Sequence, residues 1–195
     1  MMKVITLWEP WASLVAHGEK KNETRIWSHK YRGPLLIHAA KKYPGNIIFE
    51  EPFYTSLKKQ HDQEGKGICF PGPCILAIAN LVIIAKVISE NNSFAFLEDV
   101  DSGMVIELDK SSKEYAFGDY APGRFVWILN DIHQLKEPIR SKGMQRIWNF
   151  DETPHLVAID PYAIGSTRIW TPKGVRSGRK LDRPDEDAVR GLEVA

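Results

Sequence analysis

Lys20, Glu23 and Arg25 follow Gly18 in the spacing Gly-x-Lys-x-x-Glu-x-Arg, directly after the apolar segment Trp11-Ala12-Ser13-Leu14-Val15. Three ionisable side chains on one turn suit a site that grips something polar. A lysine serves as a cation for phosphate or, once desolvated, as a base or nucleophile. A glutamate accepts from the exocyclic amine of a base or orients the lysine. An arginine offers a two-pronged donor to phosphate or carboxylate. The same spacing also fits a surface salt-bridge cluster at a helix end, which contributes little to stability, and spacing alone leaves both readings open.

Other side chains can join this chemistry. Trp8 and Trp11 bracket Pro10 just before the motif, and aromatic faces beside cations are platforms for a splayed base. Trp11 shares an apolar stripe with Leu14 and Val15, so it is expected in the core, with Trp8 the better cleft candidate. Arg32, Lys41 and Lys42 are candidate phosphate contacts, giving salt-dependent affinity without sequence choice; ordinary solvated charges fit them as well. Arg124, after Pro122-Gly123, is a candidate second wall of a cleft, although turn chemistry explains the glycine equally. His38 lies in an apolar run and reads as a hydrogen-bonded core histidine before it reads as a ligand. Cys69 and Cys74 have no second cysteine pair and no matching histidine pair, so no metal site is expected. Ser13, Ser28 and Ser141 show no nucleophile-elbow or triad pattern, and no cofactor is implied.

The net charge of +1 conceals strong segregation. From His17 to Lys42 the basic residues Lys20, Lys21, Arg25, Lys30, Arg32, Lys41 and Lys42 meet only Glu19 and Glu23. From Glu98 to Asp119 the balance reverses, with Glu98, Asp99, Asp101, Glu107, Asp109, Glu114 and Asp119 against Lys110 and Lys113. Between Gly165 and Arg183 it is basic again. Such a pattern can build a basic face for an anion, or it can be three solvated surface segments. The longest apolar run, residues 74–85, contains Asn80 and falls short of the roughly 20 residues of a spanning helix. The first residues enter a strand-like pattern with no apolar leader, and two cysteines suit a reducing compartment. A soluble, cytoplasmic protein that does not enter membranes is expected.

The elements that must position these groups follow from periodicity. Residues 3–7 read as a strand, and Pro10 suits the first turn of a helix that Gly18 ends. Residues 23–27 read as a strand. Residues 34–40 form a nearly continuous apolar run, predicting a strand covered on both faces. Residues 47–61 read as a helix interrupted near its start by Pro52. Residues 74–88 predict a long bent strand, bulged near Asn80. Shorter strands are expected at 105–108, 124–129 and 147–150. Many short strands and few helices predict an α+β fold, a small mixed β-barrel with flanking helices. One domain over 1–160 is expected, followed by a poorly ordered basic tail over 161–195, where glycine, proline and arginine replace apolar residues.

Three segments together resemble a known family. These are Leu7-Trp8-Glu9-Pro10-Trp11-Ala12-Ser13-Leu14, the run from Gly18 to Arg25, and Tyr31-Arg32-Gly33-Pro34-Leu35-Leu36-Ile37-His38-Ala39-Ala40. They resemble the ASCH (activating signal cointegrator homology) domains, relatives of the PUA domains, whose G-x-K-x-x-E-x-R motif matches at Gly18, Lys20, Glu23 and Arg25. Gly118-Asp119-Tyr120, Gly123-Arg124-Phe125-Val126-Trp127 and residues 143–148 resemble the family's second half. The resemblance implies a PUA-like barrel with a cleft between barrel and helices, the motif on its wall, and recognition of RNA, with DNA as the other nucleic-acid candidate. It also implies enzymatic relatives: amidohydrolases acting on N4-acetylcytidine, and members with ribonuclease activity. In an enzyme, Lys20 and Glu23 would be the catalytic pair. The amidohydrolases carry a threonine three residues after the lysine, where this chain has Glu23. Their distant glutamate has no counterpart in residues 74–81. A protein-interaction domain is the third reading, and the sequence carries no sign of oligomeric state.

Overall fold

The computed structural model describes residues 1–42, 45–64, 68 and 70–151. The apolar run in the first half forms the spine of the fold. Strand β1 (Met2–Leu7) lies parallel to β3 (Gly33–Ala39), pairing Lys3 with Leu35 through Leu7 with Ala39. A parallel pair needs a crossover, and helix α1 (Trp11–Ala16) with strand β2 (Asn22–Arg25) occupies it. Beyond β3, a 3₁₀ turn (Gly45–Phe49) leads to helix α2 (Phe53–Glu64). The long strand β4 (Cys74–Glu90) follows, then the hairpin of β5 (Phe94–Asp99) and β6 (Val105–Asp109). The short helix α3 (Lys113–Ala116), strand β7 (Phe125–Arg140) and strand β8 (Ile147–Phe150) complete the described chain.

All eight strands among the described residues belong to one sheet, in which β2, β7, β4, β3, β1 and β8 are successive neighbours and β5 and β6 extend from β4. The pairing of β4 with β7 shifts register at three places, one of them between Ile78 and Asn80. Each shift adds local twist, and the sheet curls into the PUA-like, barrel-like α+β fold. Leu35, Leu36 and Ile37 are all buried. Leu35 and Ile37 pack under α1 with Ala12, Val15 and Trp127, while Leu36 joins Val4, Ile78, Leu135 and Trp148 on the other face. That two-sided burial is why residues 35–37 read as an unbroken apolar run.

Both principal helices begin by the same local device. Glu9-Pro10-Trp11-Ala12-Ser13 and Glu51-Pro52-Phe53-Tyr54-Thr55 share the order glutamate, proline, aromatic, any residue, hydroxyl residue. In the first, Glu9 accepts hydrogen bonds from the Ser13 amide and hydroxyl, each at 3.0 Å. In the second, Glu51 accepts from the Thr55 hydroxyl at 2.8 Å and its amide at 3.4 Å. Pro10, the N-cap, brings no side-chain acceptor, so the carboxylate one residue earlier satisfies an orphan amide of the first turn. Trp11 and Phe53 then meet edge to face, their centroids 6.0 Å apart.

The strand at 124–129 continues to Arg140, and β5 and α3 were not evident from periodicity. Past Asn130, β7 runs on through mostly polar, exposed residues in which Ile132, Leu135 and Ile139 fall without strand alternation, and it pairs there with the start of β4. The expected helix over 47–61 is divided by Glu50, Glu51 and Pro52 into the 3₁₀ turn and α2. No helix among the described residues is long and apolar enough to cross a membrane. The tail over 161–195 and its boundary with the domain lie outside the described residues, as does Cys69.

Candidate functional site

The turn after α1 is set by Gly18, whose φ of +74° is a left-handed conformation that suits glycine at a helix end. The amides of Glu19 and Lys20 both return to the Leu14 carbonyl, at 2.9 and 3.1 Å, which aims Lys20 inward. Lys20 is 1% exposed. Its Nζ donates to the carbonyls of Asn22 and, at 3.1 Å, of Phe117, with Glu23 Oε2 3.9 Å away. Burial pushes the Lys20 ammonium below its ordinary range, while Glu23 and Glu114 pull it back up. Lys20 therefore ties the motif strand to the segment after α3.

Glu114 ties the same two segments from the other side. Its carboxylate accepts from the amides of Lys21 and Asn22 at 2.8 and 2.9 Å. Burial raises its proton affinity, and Lys20 and the two amides oppose that rise. Trp11 Nε1 donates to the Phe117 carbonyl at 2.8 Å, and the Asp119 amide donates to Thr24 Oγ1 at 3.1 Å. At Gly118 the approach is so close that an added Cβ would lie 2.6 Å from the Tyr120 ring. Only a residue without a side chain fits there.

Between these segments lies a cleft of about 440 Å³. Trp8, Trp11, Phe53 and Phe117 give it aromatic walls, and Glu23, Arg25, Asp119 and Arg124 give it charge. The charges are paired. Glu23 Oε1 stands 3.1 Å from Arg25 Nε, and Asp119 Oδ2 stands 3.1 Å from Arg124 Nη1. Arg25 Nη2 also donates to the Thr6 carbonyl at 3.0 Å. Two carboxylates against two guanidinium groups leave the wall close to neutral while offering both donors and acceptors. Such a surface suits a planar, polar, uncharged group better than a lone phosphate.

The sequence candidates thus divide. Trp8, Glu23, Arg25 and Arg124 line the cleft, and Lys20 lies behind its wall. Trp8 is 54% exposed, and Lys42 Nζ covers one face of its indole at 3.8 Å from the ring centre. Trp11, expected in the core, is half-buried and does both jobs, packing on Phe53 and lining the cleft. Arg32 pairs with Asp101 at 2.7 Å and donates to the His29 and Tyr31 carbonyls, away from the cleft. Lys41 lines a separate hollow with His38. His38 is buried, with Nε2 3.0 Å from the Ser141 carbonyl.

The charge map of the sequence is corrected by the fold. The acidic stretch packs on the first basic stretch, through Asp101 with Arg32 and Glu114 on the Lys21 and Asn22 amides. Lys113, from within the acidic stretch, reaches Glu19 at 2.7 Å. Neither a uniform basic face nor separate solvated segments describes these two stretches, and the basic stretch between Gly165 and Arg183 lies outside the described residues. Sequence reasoning missed Glu114, Phe117 and Asp119 as site residues. Glu114 is one carboxylate among several acidic residues, and its partners are backbone amides that carry no sequence signal.

A family model, the ASCH domain, matches residues 5–116. Activating signal cointegrator 1 of Mus musculus is 26% identical over 157 residues, covering 77% of this chain and 22% of that protein. The chain thus spans about a fifth of the length of that curated relative. The family match runs from within β1 to the end of α3 and takes in the motif, Lys20 and Glu114. The chain belongs to the ASCH domain family.

Proposed function

We propose that this protein is a nucleic-acid-binding module, for RNA in first place, that holds one nucleotide in the cleft between α1, β2 and the segment after α3. The observation that carries the reading is the wall itself, aromatic faces interleaved with the Glu23–Arg25 and Asp119–Arg124 pairs. A base stacks on the exposed indole of Trp8, a contact typically worth about 1–3 kcal/mol. Glu23 accepts from an exocyclic amine, and Arg25 and Arg124 donate to base or sugar oxygens. Because those arginines are already paired, they add selectivity more than bulk charge attraction.

The test is the binding of fluorescein-labelled single-stranded RNA and DNA of mixed sequence across a sodium chloride series, beside Glu23→Gln. Wild-type protein binds RNA, and the substitution changes preference between amino-bearing and keto-bearing bases. Failure to bind either nucleic acid at low salt would remove the reading.

A hydrolase acting on N4-acetylcytidine or on RNA is the second reading, favoured by the depressed proton affinity of Lys20, the mark of a candidate base or nucleophile. Against it, Lys20 Nζ is engaged by two carbonyls and lies behind the wall. Acetate release from N4-acetylcytidine, or cleavage of short RNAs, decides the matter; no turnover by protein that binds RNA leaves the binding module.

A further inference from the structure

Beside the cleft lies a larger hollow, of about 770 Å³, with the opposite electrostatic design. Lys41 after β3, Arg140 at the end of β7 and Lys142 in the next loop all line it, and no carboxylate among the described residues does. All three cations are exposed, and none has a carboxylate partner among the described residues. Three like charges around one concavity repel one another and raise its potential, an arrangement that an anion relieves.

The floor of the hollow is built closely. At Gly143 the chain approaches His38 so tightly that an added Cβ would lie 2.5 Å from Cε1 and 2.8 Å from Nδ1. His38 Nε2 faces the Ser141 carbonyl and so carries the ring hydrogen, which leaves Nδ1 a buried acceptor with no partner among the described residues. Thr6 lines both the hollow and the cleft, and Arg25 of the cleft donates to its carbonyl. The two concavities are therefore neighbours on either side of β1's last residues.

We propose that the hollow is a phosphate subsite, which takes the sugar-phosphate backbone next to the nucleotide whose base sits in the cleft; this rests on the nucleic-acid reading given above. The division of labour follows from the charges. The neutral aromatic cleft reads a base, and the exposed Lys41, Arg140 and Lys142 supply the counter-ion-releasing contacts that the paired arginines of the cleft cannot.

The full chain is titrated with a fluorescein-labelled ten-nucleotide single-stranded RNA at several salt concentrations. Three variants are compared: Lys41→Ala/Arg140→Ala/Lys142→Ala in the hollow, Trp8→Ala in the cleft, and Lys58→Ala/Lys86→Ala/Lys136→Ala elsewhere on the surface. The expected result is at least a tenfold loss for the hollow variant. Its logarithmic salt slope becomes shallower by about 2, since each phosphate contact on a single strand contributes about 0.7. The control triple stays within about threefold of wild type. The charge-preserving variant Lys41→Arg/Arg140→Lys/Lys142→Arg binds nearly as wild type, which separates lost charge from lost folding. An unchanged hollow variant with a weakened Trp8→Ala overturns the phosphate subsite and spares the base cleft. A weakened hollow variant with an unchanged Trp8→Ala does the reverse. Equal losses in the hollow and control triples, or wild-type protein that binds no RNA, overturn the subsite.

Discussion

The cleft and the hollow share Thr6 yet treat charge in opposite ways. In the cleft every arginine has a carboxylate, and the lysine behind the wall is buried against two carbonyls and a glutamate. In the hollow the cations stand in water with no carboxylate partner among the described residues. A buried charge must be satisfied where it sits, so its role is to hold the wall in shape. A solvated charge is left available to a ligand. The same residue type, lysine, is buried and hydrogen-bonded at position 20 and exposed to solvent at positions 41 and 142.

The sharpest way to break this contrast is to remove a lysine from each side. Lys20→Met leaves the Asn22 and Phe117 carbonyls without their donor and removes a buried positive charge that Glu23 and Glu114 both feel. By analogy with breaking buried ion pairs, it should cost about 3–5 kcal/mol in urea unfolding. Lys142→Met should leave the unfolding midpoint where it was. Equal and small effects at both positions would show that the wall does not depend on Lys20.

A second test uses pH. Burial raises the Glu9 carboxyl from 4.5 to about 7, partly offset by its bonds from Ser13. Below pH 4.5 the folded and unfolded states both hold the proton. Between 4.5 and 7 the folded state keeps a proton that the unfolded state has released, so stability falls as pH rises, by about 3 kcal/mol in all. Glu9→Gln, which can still bond to Ser13, should abolish that fall. Denaturant midpoints at pH 4.5, 5.5, 6.5 and 7.5 measure it, and a slope unchanged by the substitution would assign the dependence elsewhere.

The smaller effects concern the rim. Trp8→Ala should weaken single-stranded RNA binding by about tenfold, within the range of a lost base stack, with little change in thermal stability because the indole is largely exposed. Lys42→Ala, which uncovers that indole, should change affinity by no more than about threefold, the scale of an exposed cation–π contact. A Lys42 effect larger than that of Trp8 would place the lysine on the ligand, not on the ring.

Much of the scaffold was legible because it rests on local rules. Gly18 ends α1 where glycine at a helix terminus should, the apolar run at 35–37 is a strand buried on both faces, and Asn80 marks an irregularity in β4. The second half of β7 was not legible, since it is mostly polar and exposed, and its apolar residues Ile132, Leu135 and Ile139 lack the period of a strand. The candidate motif was legible as a cluster, Lys20, Glu23 and Arg25 in contact, but not as a division between a buried tie and a lining pair.

The sequence by itself settles the motif, the family it belongs to and most of the strands, because turn chemistry and side-chain alternation act over a few residues. Only the tertiary structure decides which charges are spoken for. Glu114 reaches the Lys21 amide across 93 positions of sequence, and Thr6, His38, Lys41, Arg140 and Lys142 meet from separate strands and loops. Coulomb energy and desolvation depend on distance in space and on burial, and neither is written in the order of residues along the chain.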